Sequence, residues 1–366
     1  MIFRRHTHWF ALIAVAIAGL PLVASAEPYL AVESGLRCSN CHVNPTGGGK
    51  RTPLGMLYAR GQIDANTVPA DGKVDKPWTG DVTKWFAVGG DFRGGYDSVD
   101  VPHVVPKETE LDVTRATVYA EFRAIANKLS FYFDEKVAPD NAETREAYLL
   151  ASLGGAKYTI KAGQLFLPFG LRLEDDNTFV RQASSLNFNT PNHGVELGMN
   201  LAKWQAQVAV TENAAQTGSG TDQITLSAVR LMQKWRVGAS FNSNKDPFGN
   251  RQMAGAFAGV HTGPIVWLAE VDLIHDDTRT GGHDSYATLV EGDWRFRKGH
   301  NLKVGYEYLD PDQDRSQDQQ ERYSVVWEYS PIQFVQSRVG IRRYNGIPNF
   351  PLTNRNEFFA QLHVYF

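Results

Sequence analysis

The chain of 366 residues holds only two cysteines, carries no surplus of positive charge, and has no long apolar run beyond its first two dozen residues. Each absence excludes a class. Two cysteines cannot staple a small scaffold, which needs several bridges. A formal net charge of −3, from 37 basic and 40 acidic residues, excludes a nucleic-acid binder, which would show a basic patch or stripe. Without further stretches of about 20 apolar residues, a bundle of transmembrane helices is excluded too. Two classes remain: a water-soluble domain, or a membrane barrel whose strands are apolar on one face only.

The one apolar run, Trp9 to Leu20, follows the basic pair Arg4 and Arg5 and precedes the small-residue site Ala24-Ser25-Ala26. This order predicts a signal peptide over 1–26, removed after Ala26. A membrane anchor is the alternative, but the run is short for a span and Pro21 interrupts its end.

From Lys84 onward the chain alternates apolar and polar residues. In WFAVGGDFRGGYD, Phe86, Val88, Phe92 and Tyr96 share one parity, and Ala87, Asp91, Arg93 and Asp97 the other. Period two is the strand period, because successive side chains point to opposite faces. The pattern predicts sixteen strands: 85–98, 113–124, 128–138, 144–153, 157–167, 193–201, 204–212, 222–231, 234–243, 251–260, 264–275, 284–296, 301–310, 321–330, 333–343 and 356–366. Their connections alternate between short and long, and their lengths match the about 9–11 residues of a tilted membrane strand. Short turns at one end and long loops at the other describe an outer-membrane barrel. A soluble all-β domain would have to bury the mid-strand charges Asp91, Arg93, Glu121, Arg123, Glu291, Asp293 and Arg295, whereas a watery lumen would solvate them. The ending LHVYF resembles the aromatic terminus of bacterial outer-membrane barrels, and the longest loop, 168–192, opening PFGLRLEDDN, resembles the inward-folded third loop of porins. The expected architecture is all-β: a 16-stranded antiparallel transmembrane β-barrel over 84–366, preceded by a small irregular or helical segment over 27–83.

That segment holds both cysteines, in GLRCSNCHVN. Cys38 and Cys41 are spaced C-x-x-C, and His42 follows at once. This is the attachment pattern of c-type haem: two thiols for the vinyl groups and an adjoining imidazole for the iron. A thioredoxin-like pair would need a βαβ context, a zinc site would need further paired ligands, and a structural disulfide gives His42 no role. One motif means one covalent haem c. So short a segment buries a core poorly alone, which points to a plug in or at the mouth of the barrel. Gly47-Gly48-Gly49 reads as a tight turn beside the porphyrin or as a linker. Thr52-Pro53 to Gly61 reads as a short helix with Leu54, Leu57 and Tyr58 on one face; Met56, off that face, is a candidate distal ligand, with plain packing as the alternative. His363, placed in the lumen by strand parity, is a rival that reads better as a wall histidine bonded to its neighbours. Arg37, Lys50, Arg51 and Arg60 are candidate propionate partners, with plain solvation as the alternative. Asp310, Asp312, Asp314 and Glu321 have calcium-loop offsets, but Arg315 replaces the turn glycine, so they read as an acidic external loop.

The stretch EPYLAVESGLRCSNCH, with Pro28, Gly35, Cys38, Cys41 and His42 in place, together with the order signal, motif, barrel, resembles the fused outer-membrane cytochrome–porins. Members of that family carry one c-type haem, and the best known oxidise ferrous iron at the cell surface. VNPTGGGKRTPLG, which follows, marks a distinct branch. The resemblance implies an outer-membrane location in a Gram-negative bacterium, contact with outer-membrane lipid, and single-electron transfer between an extracellular metal ion or mineral and periplasmic c-type cytochromes. A solute porin whose tethered haem senses redox state as a plug or gate is the other function class the sequence leaves open.

Overall fold

A computed structural model of the protein describes residues 27–66, 78–102, 108–186, 189–212, 222–246, 249–277, 282–348 and 350–366. The expected signal segment 1–26 lies outside the described residues. Sixteen strands form one closed antiparallel barrel. They are β1 (Phe86–Asp100), β2 (Glu108–Ile125), β3 (Leu129–Ala138), β4 (Glu143–Leu153), β5 (Tyr158–Leu165), β6 (Asn192–Asn200), β7 (Trp204–Glu212), β8 (Asp222–Leu231), β9 (Trp235–Asp246), β10 (Gly249–Thr262), β11 (Ile265–Asp276), β12 (His283–Arg297), β13 (His300–Asp310), β14 (Gln320–Ile332), β15 (Val335–Asn345) and β16 (Asn356–Tyr365). Each strand pairs with its sequence neighbours, and β1 closes the ring on β16 from Asp91↔Tyr365 to Asp100↔Asn356. All sixteen expected strands are present.

Most strand ends shift by one or two residues, and the larger differences share one cause. β2 begins five residues early, at Glu108, and the connection expected at 244–250 shrinks because β9 and β10 run on to Asp246 and from Gly249. These outer strand ends are rich in exposed polar residues, so their pairing leaves no trace in hydrophobic alternation.

The barrel is apolar outside and charged inside. Phe92, Val118, Phe131, Leu197, Val208 and Leu273 are among many large apolar side chains exposed on the outer face, while Asp134, Glu146, Lys161, Asp272, Glu307 and Arg322 are buried on the inner face. Trp85, Trp204, Trp235, Trp267, Trp294 and Trp327 all stand outward near the short-turn end, where outer-membrane barrels carry an aromatic girdle. Among the described residues no helix is long and apolar enough to cross a membrane.

Much of the lumen is occupied by protein, which gives its charges partners besides solvent. It is filled from both ends, and the wall charges are paired: Arg93 Nε lies 3.0 Å from Asp91, and Arg123 Nη2 lies 2.8 Å from Glu121. From the long-loop end, residues 166–186 fold inward and bury Phe169, Leu171, Leu173, Phe179 and Val180; the third long loop does turn into the barrel. From the short-turn end, residues 27–66 enter as three short helices, α1 (Pro28–Ser34), α2 (Cys38–Cys41) and α3 (Pro53–Tyr58), the last continuing as a π-turn over Ala59–Ile63. Helix α1 sets Tyr29 and Val32 in a core with Phe257 of β10, Leu268 of β11 and Leu171 and Leu173 of the inward loop. At the barrel's short-turn edge, the N–H groups of Ala65 and Asn66 donate to Ser330 O (2.8 Å) and Pro331 O (3.1 Å).

Candidate functional site

The two cysteines lie three apart on the single turn of α2, which places them on one side. The Arg37 N–H donates to Asn40 Oδ1 (2.9 Å) to start the turn, and the His42 N–H donates to Cys38 O (2.9 Å) to end it. His42 then leaves in an extended conformation, φ −125°, ψ 147°, and bridges to Arg51. Between them Gly47, Gly48 and Gly49 turn the chain with φ of 96°, 71° and 61°, so they are a tight turn and not a linker. No side chain fits there: a Cβ on Gly48 would sit 2.6 Å from Arg172 Nε, and one on Gly49 2.1 Å from the Tyr132 hydroxyl.

Helix α3 clamps the motif from below. Thr52 caps it, accepting from the Gly55 N–H (3.2 Å), while its hydroxyl donates to Asn40 O (2.6 Å). The helix does not stop at Gly61 as its sequence suggested; the π-turn carries it to Ile63. Its faces are also reversed from expectation. Leu54 and Leu57 are each 47% exposed, while Met56 and Ala59 are buried against Tyr365 of β16.

His42 is 3% exposed; no well-formed hydrogen bond reaches its ring nitrogens, although the backbone of Gly48 and Gly49 lies close enough to interact with the ring. Burial, then the nearby charges of Arg51 and Arg172, push its pKa down to about 3, so the imidazole is neutral with a lone pair on offer. Cys38 and Cys41 are free thiols, and burial pushes Cys41 up from its ordinary value. All three residues line one cavity, with about 1310 Å³ free of atoms including its open mouth. Phe166, Leu167, Pro168 and Phe169 of the inward loop form one side of it, and Val229, Leu231 and Phe257 of the wall another. Arg37, Arg51, Arg172 and Arg236 also line it.

Two free thiols on one turn, a buried neutral imidazole beside them, and a largely apolar chamber edged by guanidinium groups make a donor set that could hold one haem c. Of the residues named from sequence, Cys38, Cys41, His42, Arg37 and Arg51 come together here. Met56 does not line the cavity; it packs with Ala59, Ile63, Trp78 and Tyr365. Lys50 is drawn instead to Glu121, 3.7 Å away. His363 is a fully buried wall histidine, with Nε2 2.7 Å from Asp91 and Nδ1 3.2 Å from Gln336. In the acidic loop Arg315 pairs with Asp312 (2.9 Å), and among the described residues no metal-ligand cluster forms there. Sequence reading missed Arg172 and Arg236. Arg172 had a signal, since it stands in the loop already marked as inward-folding.

A second cavity, with about 1880 Å³ free of atoms including its open part, lies on the long-loop side. His193, Asn244, Asp276 and His283 line it, and Leu186 lines both cavities. The inward loop thus separates an outer vestibule from the chamber at the cysteines.

No protein-family model matches the chain, and no curated protein does. Solved barrels do. A loop L8 deletion mutant of OmpT, an outer membrane protein of Vibrio cholerae, aligns at 12% identity and a TM-score of 0.63, over 77% of this chain and 99% of that one. An anion-selective porin from Comamonas acidovorans aligns at 8% identity and 0.60, over 77% and 99%. A mutant porin of Rh. blastica aligns at 12% identity and 0.58, over 77% and 100%. The chain shares their closed-barrel, porin-like fold, and each match spans about the share of the chain that the barrel makes up.

Proposed function

We propose that the protein is an electron conduit of the outer membrane of a Gram-negative bacterium. One haem c on Cys38, Cys41 and His42 would pass single electrons between an extracellular donor or acceptor and periplasmic c-type cytochromes. The observation that carries this reading is the position of the C-x-x-C-H turn inside the lumen, against a chamber walled by the inward loop, and not on a tail outside the barrel. When bound, the haem supplies a one-electron couple. The chain's own part is to present a neutral imidazole, to cover the chamber with Phe166 to Leu171, and to set four guanidiniums around it. The outer vestibule gives an extracellular metal ion or mineral surface an approach that ends at Leu186. Ferrous iron is a candidate donor through the family resemblance.

The second reading, a solute porin gated by its haem plug, draws on the fold shared with an anion-selective porin. It is the weaker of the two, because both plug and loop fill the lumen.

Liposomes enclosing an electron acceptor separate them. Conduction predicts reduction from outside by wild type, none by a Cys41→Ala variant, and little ion leakage in either. Free ion leakage without electron transfer sinks the conduit and favours the porin.

A further inference from the structure

We propose that the short-turn end of the barrel is a docking face for a soluble redox protein whose own contact surface is acidic. The proposal rests on the conduit reading and names the chemistry of the partner on the periplasmic side.

The exposed charges at the barrel's two ends differ in sign. Seven short turns join strands at one end, and five of them carry one lysine each: Lys128, Lys157, Lys203, Lys234 and Lys298. All five are exposed. None of the seven turns, all among the described residues, holds an aspartate or glutamate. Because the barrel is closed, these turns form a ring around its mouth. Two acids that stand at this end are already paired, Glu33 with Arg295 and Asp81 with Arg123 (2.7 Å). At the opposite end Asp100, Glu108, Glu110, Asp140, Glu143 and Asp314 are exposed on the long loops and the strand ends beside them. Charges sorted in this way draw an acidic partner to the lysine ring and turn it away from the loops.

The second observation is what the ring encloses. The plug is held at the level of the turns from opposite sides of the barrel: Ala65 and Asn66 donate to Ser330 and Pro331 at the β14–β15 turn, and Arg37 donates to Leu201 O in the β6–β7 turn. Helix α3 shows three faces there. Gly55 and Tyr58 line the chamber, and Met56 and Ala59 pack against Tyr365 of the wall. The third face carries Leu54 and Leu57, each about half exposed, which line neither cavity and are left turned to the mouth. An apolar centre within a charged rim is the anatomy of a protein interface: the centre supplies burial, the rim supplies steering. Lipid headgroups also attract lysine, but acyl chains stay outside the wall and do not reach Leu54 and Leu57. The position suits the conduit too. Helix α3 touches the cysteine turn directly, since a Cβ on Gly55 would lie 2.3 Å from Cys41 O. A partner seated on Leu54 and Leu57 is therefore separated from that turn by the thickness of one helix, about 10–12 Å.

The test measures binding of two soluble c-type cytochromes of equal size, one acidic and one basic, to the full-length protein in uncharged detergent. The acidic cytochrome should bind, with an affinity that falls about ten-fold between low and physiological salt. Reversing three ring charges together, by Lys128→Glu, Lys203→Glu and Lys234→Glu, should weaken it by about ten-fold or more. Asp140→Lys with Asp314→Lys, at the other end, should not weaken it. Leu57→Asn should cost about five-fold at an unchanged salt slope. The basic cytochrome should not bind the lysine ring. Equal affinity of the wild type and the triple variant overturns the proposal. So does displacement of the acidic cytochrome by anionic phospholipid vesicles, which assigns the lysines to headgroups. Haem staining of the same samples keeps the two readings apart. Colourless protein that binds the acidic cytochrome sinks the conduit alone, and haem-loaded protein that does not bind it sinks the docking face alone.

Discussion

Gly55 shows how tightly single residues hold the candidate site. A Cβ there would lie 2.3 Å from Cys41 O, which is backbone and cannot swing away. Gly55→Ala should push α2 from α3 and, on the proposed haem reading, sharply lower the haem-stained fraction, while the barrel keeps its heat-modifiable migration on gels. Asp64 is the second sensitive position. It is fully buried at the end of the π-turn, with no hydrogen-bond partner for either carboxylate oxygen. Burial raises its pKa from 3.8 to about 7, against the opposing pull of Arg51, Lys298 and Arg60. A carboxyl raised on folding binds its proton more tightly in the folded state. Its contribution is therefore full below the unfolded value and is lost as pH rises from about 4 through about 7. Protection of 27–66 from protease should fall across that window, and Asp64→Asn should flatten the profile, with a gain of about 1–3 kcal/mol at pH 8. A profile equally steep in the variant would assign the pH dependence elsewhere. The grouping of Cys38, Cys41 and His42 on one turn was legible in the sequence because its spacing is local. Which face of α3 turns inward was not: a six-residue helix has an inside only once its partner is known, and here the partner is Tyr365, some 300 residues downstream.

At the scale of elements, the strands were readable because a barrel wall meets lipid on one face and lumen on the other, so the alternation is written along every strand. The plug has no period of its own. Its place follows from scattered polar bonds to the wall, which leave no mark in a local window. Asn44 is the central one. Fully buried, its amide donates to both oxygens of Glu146 on β4 (2.9 and 2.8 Å), and its carbonyl accepts from Lys161 on β5 (3.2 Å). Glu146 also accepts from the Phe166 N–H (3.1 Å), where the inward loop begins. One carboxylate thus ties wall, plug and loop together. Asn44→Ala removes the donor and leaves a buried carboxylate short of partners, at a cost of about 2–3 kcal/mol. Protease should then reach residues 27–66 faster at unchanged barrel stability. Gln205, whose amide donates to Pro45 O (3.2 Å) from strand β7, should show a smaller effect of the same sign when changed to Ala.

The whole molecule reverses the usual distribution of polarity, and that reversal decides how its parts depend on one another. A bare barrel of sixteen strands encloses a water-filled channel. Here the inner charges have been enlisted to hold a plug and a loop: Lys303 binds Glu27, Lys161 binds Asn44, and Arg236 bonds to Leu36 O (3.0 Å) of the plug. The wall does not need the plug in order to close, since every strand is paired with its neighbours around the ring. The plug does need the wall, because its core residues Tyr29 and Val32 are buried mainly against Phe257, Leu268 and the inward loop. Deleting residues 27–66 should therefore leave a folded barrel that opens a path for ions past the inward loop. In planar bilayers the wild type should show little steady current and the deletion variant discrete steps. Deleting 166–186 as well should widen these steps, because the loop bonds to the wall through Gly170, Leu171 and Phe179 independently of the plug. Equal conductance with and without residues 27–66 would mean that solutes pass the plug freely. The molecule would then be a pore that happens to carry two cysteines, and the electron-conduit reading would lose its insulating wall.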